Sequence, residues 1–182
     1  MKRYFVLSAI GQDRPGIVAD VSELIYECSG NLEDSRMTLL GTHFALLILL
    51  SGEGPQLSDT LNRACKRLEW DKGLTVFLSP LDQRTGALTE APEPDHEVRV
   101  VGLDRAGIVY RTSALLASKN VNIVDLRTHI EPAPESGSPV FTMVMAINLP
   151  AGLNRKALRA ELEQLADQLN VEISLHTLPV SR

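Results

Sequence analysis

Gly11-Gln12-Asp13-Arg14-Pro15-Gly16-Ile17-Val18 recurs 91 residues later as Gly102-Leu103-Asp104-Arg105-Ala106-Gly107-Ile108-Val109, with six of eight positions identical. The same offset joins Leu24 to Leu115, Asn31 to Asn122, Asp34 to Asp125 and Arg36 to Arg127. It then grows to 97, joining Phe44 to Phe141, Leu61 to Leu158 and Leu68 to Leu165. The second repeat therefore carries an insertion of six residues, which falls in the turn-rich stretch Pro132–Pro139. Surface turns absorb such length changes.

Each repeat reads strand, helix, strand, strand, helix, strand. In the first, Phe5, Leu7 and Ala9 alternate with Val6 and Ser8, which predicts a strand. Ile17, Val21, Leu24 and Cys28 follow at helical spacing, with Val18 and Ile25 widening the stripe, and Gly30-Asn31 is expected to stop that helix. The next strand is clearest in the second repeat, where Val124, Leu126, Thr128 and Ile130 share one face and Asp125, Arg127, His129 and Glu131 the other. Phe44–Leu50 and Phe141–Ile147 are apolar at almost every position, so both faces of the third strand are expected to be covered. The second helix carries Leu57, Leu61, Ala64 and Leu68, matched by Leu158, Leu162, Leu165 and Leu169 behind Asn154 as a candidate N-cap. Val76 and Leu78, or Val171, Ile173 and Leu175, give the last strand. The order βαββαβ predicts an α+β, ferredoxin-like unit: an antiparallel four-stranded sheet with both helices on one face. Two such units are expected, at residues 1–80 and 96–182, joined by an exposed Pro- and acid-rich linker over 81–95.

Composition limits the function. The 182 residues are 44% hydrophobic, 23% charged and 4% aromatic, ordinary material for a packed core. Eighteen Lys and Arg against 23 Asp and Glu leave a net charge of −5 and no basic run to displace counterions from nucleic acid. Few aromatics also argue against a base-stacking platform. Two isolated cysteines, Cys28 and Cys65, lack metal or redox spacing and suit a reduced, cytoplasmic setting. The longest apolar run, Phe44–Leu50, is far short of the ~20 residues that span a bilayer.

The repeated motif sits where the first strand turns into the first helix. Gly16 and Gly107 would open the helix there, and Pro15 would pre-set the backbone before it. A helix N-terminus offers unpaired N–H donors and partial positive charge, which suit a carboxylate or phosphate. The motif is neither G-x-G-x-x-G nor a P-loop. Asp13 and Asp104 suit a helix cap or turn as well as a ligand contact, and Arg14 and Arg105 suit solvated charges as well as anion contacts.

Asp13–Val18 with Asn31-Leu32, and Asp104–Val109 with Asn122-Ile123, resemble the signature of ACT domains, small ligand-sensing modules. Within that family the chain is most similar to the glycine cleavage system transcriptional repressors, which consist of two ACT domains. The resemblance implies amino-acid binding, with no cofactor, between the strand-one/helix-one loop and an adjoining ACT domain. By position, Gly11, Asp13, Arg14, Pro15, Gly16, Ile17 and Asn31 would line one site, and Asp104, Arg105, Gly107, Ile108 and Asn122 the other. The ligand carboxylate would rest on the helix amides and its ammonium on the Asn oxygen. Ala106 replaces the motif proline in the second repeat, which makes the first site the stronger expectation. The resemblance favours glycine, which a small pocket would select by sterics.

No catalytic or metal-ligating constellation surrounds His43, His96, His129 or His176, so no enzyme and no metal are expected. Every helix is bracketed by strands, leaving no helix-turn-helix to enter a groove. The expected protein is therefore an amino-acid-sensing regulator of glycine cleavage that acts through a DNA-binding protein partner, without direct contact to nucleic acid or membrane. A homodimer also fits the apolar third strands. The alternatives are a free-standing regulatory subunit of an amino-acid or one-carbon enzyme, using the same pocket, and a structural dimerisation module that binds no ligand.

Overall fold

Strict alternation makes Arg3–Gln12 (β1) the centre of the first unit: Phe5, Leu7 and Ala9 are wholly buried, while Val6, Ser8 and Ile10 face the other way. The structure is a computed structural model describing residues 2–81, 93–134 and 137–179. After β1 come Ile17–Glu27 (α1), Asn31–Leu40 (β2), His43–Gly52 (β3), Leu57–Lys72 (α2) and Thr75–Leu81 (β4). The second unit repeats the order with His96–Leu103 (β5), Ile108–Ser118 (α3), Asn122–Pro132 (β6), Pro139–Asn148 (β7), Arg155–Leu169 (α4) and Val171–Thr177 (β8). The sheets run β2-β3-β1-β4 and β6-β7-β5-β8, antiparallel throughout. The chain divides into two compact units, Met1–Thr89 and Glu90–Arg182, each with its own core. The expected 81–95 linker lies largely outside the described residues, although Leu81 is the last residue of β4. The insertion in Pro132–Pro139 lies between β6 and β7, with Glu135 and Ser136 outside the described residues.

The apolar stripes land where their spacing put them. Ile17, Val21, Leu24 and Ile25 of α1 pack with Leu57, Leu61, Cys65 and Leu68 of α2 over β1 and β3. In α4, the Asn154 side chain caps the helix, accepting N–H bonds from Lys156 at 3.0 Å and Ala157 at 3.2 Å. Burial holds the thiol of Cys65 up at about 11 and also raises that of Cys28.

Its own unit covers the third strand on one face only. Phe44, Leu46, Ile48 and Leu50 are buried, but Leu47 between them is 51% exposed, because both helices lie on the inner face. The turn after α1 takes its left-handed residue at Ser29 (φ 57°), and after α3 at Asn120 (φ 55°), not at Gly30. Gly30 is needed for space: a Cβ there would stand 3.0 Å from Ile25 Cγ2.

A bulge follows at the start of β2, where pairing skips from Leu32 to Asp34 and leaves Glu33 as the extra residue. Its carboxylate gathers Lys2 Nζ at 2.8 Å, Ser51 Oγ at 2.5 Å and Asn31 Nδ2 at 3.2 Å. The Lys2 contact, followed by those of Ser51 and Asn31, holds its pKa down at about 2.

The second core is not a copy of the first. His96 occupies the position of Phe5, and Thr112 that of Val21. His96 Nδ1 meets Asp95 Oδ1 at 2.8 Å, but its Nε2 and the Thr112 hydroxyl are buried without a partner among the described residues. An unsatisfied buried hydroxyl costs about 1–3 kcal/mol, so Thr112→Val should raise the stability of the second unit by about 1–2 kcal/mol, read from urea unfolding. Glu33 should make stability fall with acid. Its folded pKa lies below its unfolded value, so its contribution is complete above the unfolded pKa and is lost as pH drops toward about 2. Glu33→Gln should flatten the acid limb of the urea midpoint between roughly pH 5 and pH 2.

Candidate functional site

Strand β1 delivers the motif to one end of its sheet, and each part of the motif has a separate physical role. Gly11 faces the core. A Cβ there would stand 2.5 Å from Leu74 Cδ2, and one on Gly102 would stand 2.6 Å from Val171 Cγ1. The recurrence of this glycine thus follows from close packing against the start of the last strand. Ile17 and Ile108, expected to line sites, are each 2% exposed and anchor their helices in the cores. What they offer outward is backbone only.

Gly16 and Gly107 behave differently. They are the N-caps of α1 and α3, with φ of 87° and 96°, a conformation that favours glycine. Nothing lies within 4 Å of where their Cβ atoms would be. Neither helix start receives a side-chain cap, so that means of satisfying the first-turn N–H donors is not used. Asp13 and Asp104 are therefore not helix caps. Their backbone N–H groups tie the loop to the neighbouring hairpin, at 2.8 Å to the Thr42 carbonyl and 3.1 Å to that of Pro139. Pro15 is exposed beside Gly16.

The arginines separate the two loops. Arg14 folds back onto its own helix, donating to Asp20 Oδ2, while Lys72 Nζ reaches Asp20 Oδ1 at 3.0 Å. The Arg14 bond, then that of Lys72, holds the Asp20 carboxyl below its usual range. In the second unit Arg111 stands where Asp20 would be, and it hydrogen-bonds Gln168 in place of the lysine partner. Arg105 is exposed and forms no ion pair among the described residues. The first loop is charge-balanced; the second has uncompensated positive charge.

Asn31 and Asn122 are not brought to the loops of their own units. Asn31 pairs with Ser51, which pairs with Tyr4, seven residues along β1 from Gly11 and so roughly 23 Å away at strand spacing. Asn122 pairs with Asn148, beyond the start of β5. Strand, helix and strand run out, back and out again, so the start of the second strand lies opposite the motif loop. One unit thus holds the anion-facing half of the expected site, and the asparagine half lies at its far end. A hollow of about 350 Å³ lies elsewhere, between α1 and α2, lined by Asp20, Glu27, Arg67 and Lys72 among others. Among the described residues no three His, Cys, Asp or Glu side chains are grouped to hold a metal, and no helix is long and apolar enough to cross a membrane.

Comparison with known proteins supports the architecture. The family model of the ACT domain matches residues 3–79. The glycine cleavage system transcriptional repressor of Escherichia coli K12 is 29% identical over 182 residues, covering 100% of this chain and 93% of that protein. A crystal structure of a protein from Galdieria sulphuraria is 30% identical, with a TM-score of 0.76 over 98% of this chain and 100% of its own. A second solved structure, carrying the glycine cleavage repressor name, shares the fold at 22% identity, a TM-score of 0.71 and 98% coverage of both chains. The relatives that span the whole chain and carry a functional name are repressors of transcription, not enzymes. Residues 3–79 thus match the ACT domain, the second unit repeats their βαββαβ order and motif, and the chain is similar along its whole length to the glycine cleavage system transcriptional repressors.

Proposed function

We propose that this protein senses a small amino acid and regulates transcription of glycine cleavage in the cytoplasm by contacting a DNA-binding protein. The observation that carries this is the duplicated, uncapped helix start behind a left-handed glycine, at Gly16 and at Gly107, with open space in front of each. A ligand carboxylate accepts from the first-turn amides, where the helix dipole favours it. The ammonium takes the side-chain oxygen of Asn31 or Asn122 from an adjoining ACT domain, since neither reaches its own loop. Whole-chain likeness to repressors of glycine cleavage supports glycine as the ligand.

The two sites differ in strength. Arg105 is available to a carboxylate, whereas Arg14 is held by Asp20. Pro15 stiffens the first loop where the second has Ala106. Indirect action on DNA is supported by the net charge of −5 and by helices that each lie between two strands. Ligand and partner are coupled reciprocally: a ligand that changes partner affinity has its own affinity changed by the same factor.

Calorimetric titration with the twenty amino acids should give two unequal binding events for a small one. Gly16→Val, which fills the approach and strains a positive φ, should weaken one event at least tenfold, and Gly107→Val the other. Circular dichroism confirms that the variants fold. A folded protein giving neither heat nor a melting shift with any amino acid would instead be a structural module. Binding without any DNA-binding protein among its native partners, but with a metabolic enzyme, would identify a regulatory subunit.

A further inference from the structure

The motif arginine of the first repeat already has a carboxylate partner inside the chain. Arg14 donates from one guanidinium nitrogen to Asp20 Oδ2 at 2.5 Å and from another to the Pro15 carbonyl at 3.4 Å. These contacts hold the guanidinium at the start of α1, because the Asp20 N–H closes the first helical turn onto the Gly16 carbonyl at 2.9 Å. Asp20 has a second cation. Lys72, the last residue of α2, meets its other oxygen, Oδ1, at 3.0 Å. Each carboxylate oxygen thus has its own partner, and Asp20 keeps one when Arg14 leaves. The side chains of Arg14 and Lys72 are each 39% exposed, and ion pairs so open to water are weak enough to exchange. The second repeat lacks this arrangement: Arg111 stands at the position of Asp20, and Leu169 at that of Lys72.

Given the carboxylate site proposed at Gly16, on which this rests, we propose that Asp20 is an internal competitor for it. Its carboxylate holds Arg14 in the free protein, and a bound amino acid takes Arg14 over with its own carboxylate while Lys72 retains Asp20. Both carboxylates seek the same guanidinium and the same partial positive charge of the helix start, so each weakens the hold of the other. Asp20 therefore sets the affinity of the first site without touching the ligand. Lys72 eases the exchange by keeping the abandoned carboxylate paired. The bond from Arg14, ahead of that from Lys72, is what lowers the pKa of the Asp20 carboxyl. The second site has no such competitor, because residue 111 is itself a cation.

Titration of the full chain with glycine tests this, the first site being the event that Gly16→Val removes. Asp20→Asn, which keeps the shape and drops the charge, should tighten that event about fivefold. In an Arg14→Gln background the same change should alter it less than about twofold, because competition requires the arginine. Lys72→Met should weaken the event, since Asp20 is then left to Arg14 alone. In the wild type the Asp20 carboxyl resonance should titrate at higher pH with glycine bound than without, as the bond that lowers its pKa most is lost. Equal tightening with and without Arg14 would reduce Asp20 to simple charge repulsion and overturn the proposal. An unchanged affinity in Asp20→Asn would also overturn it, while loss of the event in Gly16→Val would leave the sensing function standing. Absence of any event sensitive to Gly16→Val would remove the site, and the competitor with it.

Discussion

Two helices can cover only one face of a four-stranded sheet, and the rest of this protein follows from that constraint. The inner face of each sheet takes the apolar side chains of its helices and closes a core around β1 and β3, or β5 and β7. The outer face receives no cover from its own unit, although β3 is apolar on both sides. The strand-to-helix turn is pushed to one end of the sheet, where α1 and α3 begin without a side-chain cap and with room beside Gly16 and Gly107. A closed core, an open face and an open helix start are thus results of one layer arrangement.

Within that frame the motif separates into packing and conformation. Gly11 and Gly102 recur because a methyl group would collide with the start of the last strand. Ile17 and Ile108 recur because they plug the cores. Gly16 and Gly107 recur with neither neighbour nor cap, held only to a left-handed backbone. They are the motif residues whose surroundings leave room for a small ligand. The arginines then distinguish the repeats, since the exchange of Asp20 for Arg111 frees the second guanidinium from its intramolecular partner.

Most of the fold was legible in the sequence. A repeated motif located the units, alternation and helical spacing located their elements, and Asn154 caps α4 as its position predicts. The site was legible only in part. Motif spacing identifies the loop but not the direction in which each side chain points: Ile17 and Ile108 turn their side chains into the cores. The distance between Asn31 and its own loop follows from topology: a strand and a helix in succession return the chain to the opposite end of the sheet. Arg14 was legible as a charge, but its capture by Asp20, six residues on, depends on the turn geometry at Gly16.

The central claim is that both open helix starts receive an amino-acid carboxylate. It is tested most directly by titrating glycine into the isotope-labelled protein and following backbone amide resonances. The largest shifts should fall on residues 16–19 and 107–110, with smaller ones at Asn31 and Asn122. Shifts confined to other elements, or none at saturating glycine and with every other small amino acid, would contradict the account.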